Sequence, residues 1–148
     1  MGYALNLILA LVMPKFNATL WQRMDKILIV DDDQESRDLL CEVLEANGYA
    51  PLAVADGSPA REVLDRDGEY RIVVADLRMP QESGLELLRK LRQQNSKHEL
   101  ILMSSFMTGP ERRAAQELGA HALLDKPFQF NDLLRAVGDI ARPSSVST

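Results

Sequence analysis

Five short aliphatic runs alternate along this chain with segments of helical periodicity, and that alternation leaves very few folds open. The runs are Lys26 to Val30 (KILIV), Tyr49 to Ala55, Arg71 to Ala75 (RIVVA), Leu100 to Met103 (LILM) and Ala122 to Asp125. Strands buried on both faces read as near-continuous apolar stretches of this kind. The second run carries Pro51, which cannot donate to a ladder and so puts that strand at a sheet edge. The first helical segment is Glu35 to Ala46, with Leu39, Leu40, Val43 and Leu44 on one side and Asn47-Gly48 as its stop. The second runs from an N-cap at Ser58 and a first-turn Pro59 to Asp67, closed by Gly68, and the third spans Gly84 to Gln94. A capping-box spacing at Thr108-Gly109-Pro110-Glu111 opens a fourth, to Leu118, and Asn131 to Ala141 forms the last.

Strands alternating with helices predict an α/β fold, a doubly wound five-stranded parallel sheet covered on both faces. In such sheets functional groups gather beyond the carboxyl ends of the strands, near the point where strand order reverses. Strand 1 is followed by Asp31, Asp32 and Asp33, strand 3 by Asp76, strand 4 by Ser104 and Ser105, and strand 5 by Lys126-Pro127. With the strand order 2-1-3-4-5, Asp31, Asp32, Asp76, Ser104 and Lys126 converge on one pocket. Three carboxylates brought together repel unless a cation neutralises them, and a hard ion such as Mg2+ suits oxygen ligands. Asp76, at the centre, is the natural nucleophile, because a carboxylate can accept a phosphoryl group as an acyl phosphate. Such a transfer needs mainly in-line placement and charge neutralisation, which Mg2+ and Lys126 would supply.

Charge and cysteine content exclude other classes. The formal net charge is −5, and residues 1 to 24 hold Lys15 and Arg23 but no acid, so the excess negative charge lies in the body of the chain. No basic stripe is present to neutralise phosphates, which argues against nucleic-acid binding within this chain. The single Cys41 rules out an internal disulfide framework and points to a reducing compartment, hence a cytoplasmic protein. The apolar run Tyr3 to Met13 is too short to span a bilayer, and its first basic residue, Lys15, follows the run, opposite to a signal peptide. Residues 1–23 are therefore expected to be an extension outside the domain, with Met24 as its natural beginning, and residues 143–148 a tail or the start of a linker.

Residues 26 to 142 resemble the receiver domain of two-component response regulators, with KILIVDDD, VVADLRMPQESGLELL, LILMSS and LLDKPF in the family's order and spacing. The resemblance implies a flavodoxin-like receiver that is not an enzyme in its own right. It further implies Asp76 as phosphoacceptor, and Asp31, Asp32, Asp76 and the main-chain carbonyl of Arg78 as Mg2+ ligands. Ser104 would contact the transferred phosphoryl group, Lys126 would pair with it, and the bond before Pro127 would be cis. A sensor histidine kinase or phosphotransfer protein would be the phosphoryl source, and the face made by helix 4, strand 5 and helix 5 a surface for a partner or a second copy.

Two departures stand out. Leu123 occupies the position where the family often has a Tyr or Phe that turns inward on activation, which puts the usual route of output in doubt. Ser105 stands where a smaller residue is preferred. Two alternatives to the switch are a docking receiver that works without phosphorylation and a haloacid-dehalogenase-type phosphatase using Asp31 and Asp33. Glu35 fits the latter motif poorly. Of the remaining residues, Asp33 reads as a helix-start residue, His98 as a loop residue, His121 as a flank of strand 5, and Cys41 as helix packing. Phe106 and Met107 read as packing against helix 4, and Phe128 and Phe130 as anchors for the last helix.

Overall fold

The computed structural model describes residues 24–141, so the expected extension over residues 1–23 and the tail over 143–148 lie outside the described residues. Five strands alternate with five helices: β1 (Lys26–Val30), α1 (Gln34–Ala46), β2 (Ala50–Val54), α2 (Gly57–Arg66), β3 (Ile72–Asp76), α3 (Gly84–Gln93), β4 (Glu99–Ser104), α4 (Gly109–Glu117), β5 (Ala122–Asp125) and α5 (Phe130–Ala141). All neighbouring strands pair in parallel, in the order β2-β1-β3-β4-β5. This is the doubly wound α/β sheet that the alternation predicted, with β2 and its Pro51 at one edge.

Successive strand side chains point to opposite faces, so each central strand supplies two cores. Leu28, Val30, Val73, Ala75, Leu100 and Leu102 face α2, α3 and α4, where Leu64, Leu87, Leu88, Leu91 and Ala115 complete one core. Ile27, Ile29, Ile72, Val74, Ile101 and Met103 face α1 and α5, meeting Leu40, Leu44, Leu133, Val137 and Ile140. Each fully buried aliphatic chain contributes about 1.5–3 kcal/mol relative to exposure. The sheet is thereby clamped from both sides, and its carboxyl-terminal edge is held in place.

The element ends differ from expectation where pairing overrides composition. β3 runs one residue later and β4 extends at both ends, because the ladder continues through Asp76 opposite Met103 and Ser104 opposite Asp125. Both polar residues are thus the last members of strands instead of the first residues of loops. α2 begins at Gly57, and its N-cap is Asp56, not Ser58, since the Asp56 carboxylate accepts the Ser58 amide at 3.2 Å. The capping box at Thr108 and Glu111 is present as the spacing implied.

Gly84, the first residue of α3, sits against the site. A Cβ there would lie 2.6 Å from the carbonyl oxygen of Asp76 and 3.0 Å from Leu102 Cδ2. Only the absence of a side chain lets α3 start this close to the end of β3. Gly84→Ala should therefore destabilise the fold by about 1–3 kcal/mol through overpacking. Urea denaturation checks this, and an unchanged midpoint would contradict the close approach.

Candidate functional site

Each carboxylate at the sheet edge is placed by its own strand. Asp31 follows β1, is fully buried, and its amide donates to Val54 O at 3.1 Å across the β1–β2 edge. Its carboxylate accepts Ser36 Oγ at 2.7 Å and the Asp33 amide at 2.9 Å, and Arg37 Nη1 holds its carbonyl at 2.7 Å. Asp32, next along, is exposed. Asp33 turns away into the cap of α1, accepting the Ser36 amide at 3.0 Å. Asp76 closes β3 and is buried, with Oδ1 accepting the Arg78 amide at 2.9 Å. Asp31, Asp32 and Asp76 each offer a carboxylate oxygen to a cluster whose atoms lie within 4.8 Å of one another.

Lys126 enters from the far side. Its amide donates to Ser104 O at 2.8 Å, fixing the end of β5 to the end of β4, and the Lys126–Pro127 peptide is cis. Its Nζ lies 2.7 Å from Asp76 Oδ2 and 3.7 Å from Asp31 Oδ2. Burial alone would lower its pKa. The hydrogen bond to Asp76 and the charges of Asp76, Asp31 and Asp33 outweigh that and raise it above the ordinary 10.5. Three ionised carboxylates against one ammonium leave the pocket with an excess of two negative charges, which a divalent cation would offset.

Residues 27–138 match the family model for the response regulator receiver domain. The chain belongs to that family. It is 35% identical over 121 residues to the transcriptional regulatory protein CpxR of Escherichia coli, a match covering 82% of this chain and 51% of that protein. The chain thus spans about half the length of the curated relatives it matches. Among solved structures, a response regulator receiver protein from Pseudomonas putida superposes with a TM-score of 0.75 at 28% identity, covering 78% of this chain and 97% of the other. A CheY-like receiver domain protein from Methanospirillum hungatei gives 0.74 at 25% identity, covering 79% and 93%. Receiver domains are phosphoryl acceptors rather than turnover enzymes.

Within this receiver, the other expected residues fall unevenly. Ser104 is fully buried at the end of β4, but its hydroxyl donates to Phe106 O at 2.6 Å and accepts the Phe106 amide at 3.1 Å. Arg78 meets the cluster through its amide, while its guanidinium reaches Glu111 Oε2 at 2.8 Å. Leu123 sits opposite Leu102 and packs, partly buried, against the first core. Met107 is buried as expected, whereas Phe106 is 68% exposed, because the Ser104–Phe106 turn points its ring outward. Phe128 packs against the second core, but Phe130, the first residue of α5, is 41% exposed. It lines, with Leu39, Ser105 and Lys126, an open cavity of about 530 Å3 beside the carboxylates.

Glu82 carries no sequence signal of its own. It is a buried carboxylate in the β3–α3 loop, paired with Arg61 Nε of α2 at 3.3 Å and Lys90 Nζ of α3. A Cβ on Gly57 would collide with it. Nothing in the spacing of Arg61, Glu82 and Lys90 announces the cluster, which exists only once α2 and α3 pack. His98 and His121 lie apart from the carboxylates. His98 pairs with Ser96 Oγ, and burial followed by the Arg92 charge lowers its pKa, against Asp65. His121 stands 3.9 Å from Glu99.

A raised folded-state pKa means that the Lys126 contribution to stability is fully present below the unfolded value and is lost as pH rises through the folded one. Lysine 13Cε chemical shifts should place the Lys126 midpoint above 10.5. In Asp76→Asn the midpoint should fall, since the first charged partner is gone. Equal midpoints in both proteins would show that the ion pair does not form in solution.

Proposed function

We propose that this receiver is a phosphorylation-controlled signalling switch that accepts a phosphoryl group on Asp76 from a sensor histidine kinase or a phosphotransfer protein. The single observation that carries the reading is the meeting of Asp31, Asp32 and Asp76 within 4.8 Å, with Lys126 Nζ 2.7 Å from Asp76 Oδ2. In this reading residues 24–142 are the receiver and residues 1–23 and 143–148 lie outside it. The protein works in the cytoplasm. Among the described residues no helix is long and apolar enough to cross a membrane.

The donor set fits Mg2+: clustered hard oxygens with an excess of negative charge, one of them on the exposed Asp32 where water can complete the shell. Asp31, Asp32, Asp76 and the main-chain carbonyl of Arg78 would hold it. When bound, the ion neutralises charge on the phosphoryl oxygens and on the carboxylates around them. Asp76 supplies the nucleophilic oxygen. A new oxygen–phosphorus bond forms as the phosphorus–nitrogen bond of a donor phosphohistidine breaks, and the electron pair leaves with the imidazole. Lys126 then moves its charge from the free Asp76 carboxylate to the phosphoryl oxygens, and Ser104 offers its hydroxyl to them. Attack by water on phosphorus later restores Asp76.

Output follows from the Ser104 step, which draws on the β4–α4 loop and so biases the face formed by α4, β5 and α5 toward a partner or a second copy of the chain. The partly exposed residues of β5, an edge strand, support that surface. Moving the population from 1:99 to 99:1 takes about 5.5 kcal/mol of preference for the active state. With Leu123 aliphatic and packed in the core, an aromatic rotamer change at that position cannot contribute, so coupling to output differs from that of receivers bearing Tyr or Phe there.

Incubation with acetyl phosphate and Mg2+ should add one phosphoryl group to the wild type and none to Asp76→Ala, read by intact mass. An adduct that persists in the variant would overturn the assignment. Lys126→Ala should accept the group about 100-fold more slowly, by analogy with loss of one charge-stabilising donor. The same variant should bind Mg2+ more tightly in a fluorescence or calorimetric titration, because the ammonium no longer competes for Asp76. Weaker Mg2+ binding would contradict that competition.

A further inference from the structure

The guanidinium of Arg78 lies beside Asp76 and has no part in the phosphoryl transfer proposed above. Its amide binds Asp76 Oδ1, while Nη2 crosses to the β4–α4 loop, 2.8 Å from Glu111 Oε2 and 3.5 Å from the Phe106 carbonyl. That same carbonyl takes the Ser104 hydroxyl hydrogen at 2.6 Å. Glu111 also accepts the Thr108 amide at 3.0 Å, and Thr108 Oγ1 accepts the Glu111 amide at 3.2 Å. A continuous set of contacts therefore runs from Asp76 through Arg78 to the first turn of α4, and it passes the group that occupies Ser104.

We propose that Arg78 and Glu111 form a latch that holds the β4–α4 loop with the Ser104 hydroxyl committed to Phe106, and that a phosphoryl group on Asp76 opens it by competing with Glu111 for the guanidinium. The second half rests on Asp76 being the phosphoacceptor. A serine hydroxyl has one hydrogen, so Ser104 cannot donate to Phe106 and to a phosphoryl oxygen at once. A phosphoryl group adds about two negative charges two residues from Arg78, and the planar guanidinium pairs with phosphate oxygens as well as with carboxylate. Arg78 is 54% exposed and Glu111 23%, so their pair is weak enough to be given up. Opening it frees the loop that presents Phe106, which is 68% exposed. The latch thus links Asp76 to α4 by a path that does not involve Leu123. Arg78 and Glu111 act through Ser104 and are positioning residues.

Hydrogen exchange on the full chain tests this at the amides of Ser105 to Thr108, with and without acetyl phosphate and Mg2+, each sample also being weighed for the adduct. Glu111→Gln removes the charge but keeps a residue able to close the capping box, and Arg78→Gln removes the guanidinium but keeps the cap and the backbone. Without donor, each variant should exchange about two- to fivefold faster than wild type, approaching the phosphorylated wild type, and the double variant no faster than either single one. Wild-type exchange rates in both variants, or additive effects in the double variant, would overturn the latch. Slow exchange in wild type that demonstrably carries the adduct would overturn its release. Absence of any adduct in wild type would overturn the Asp76 reading and the release with it, while the donor-free samples would still decide whether the latch exists.

Discussion

Mutual repulsion among Asp31, Asp32 and Asp76 is the constraint on which the rest of this molecule depends. Two unit charges 4 Å apart near a protein surface cost about 4 kcal/mol, a large fraction of the 5–15 kcal/mol that keeps a domain folded. The chain confines the carboxylates all the same, because each is tied to a strand that cannot move. β1 and β3 are buried on both faces between two aliphatic cores, and Gly84 lets α3 close over the Asp76 carbonyl. Lys126 offsets part of the charge, and Ser36 and the backbone amides of Asp33 and Arg78 solvate much of what remains. In the proposed reading, that surplus is what would make the pocket receptive to a cation and to a phosphoryl group whose charge the cation would screen.

Much of this was legible in the order of residues. Ile27–Val30, Ile72–Ala75 and Leu100–Met103 are unbroken apolar runs of the kind that strands covered on both faces carry, and the intervening helices carry ordinary caps at Thr108 and stops at Gly48 and Gly119. Once the strands are parallel, Asp31, Asp76 and Lys126 must share an edge, so the centre of the site follows from topology. Strand ends were less legible. Composition ends β3 at Ala75 and β4 at Met103, but ladder pairing carries Asp76 and Ser104 into the sheet, where they are more rigid than loop residues would be.

Illegible features have a common physical origin: each depends on side chains that meet only after helices pack. Glu82, Arg61 and Lys90 come from a loop and two helices, and no periodicity relates them. Arg78 and Glu111 are 33 positions apart and join the segment after β3 to the first turn of α4. Phe106 and Phe130 are aromatic, which from sequence suggests burial, yet the turn closed by Ser104 and the start of α5 direct both toward solvent. Arg78, Glu111, Phe106 and Phe130 thus owe their positions to packing around an acidic centre of family type.

The account stands or falls on the residue that carries the phosphoryl group. Treatment with acetyl phosphate and Mg2+, reduction of the acyl phosphate by borohydride and tandem mass spectrometry of the peptides would locate it directly. The proposed reading expects homoserine at position 76, formed only when both donor and Mg2+ are present. Homoserine at position 31 or 32 instead, or none at position 76 in a sample shown to carry the phosphoryl group, would contradict it.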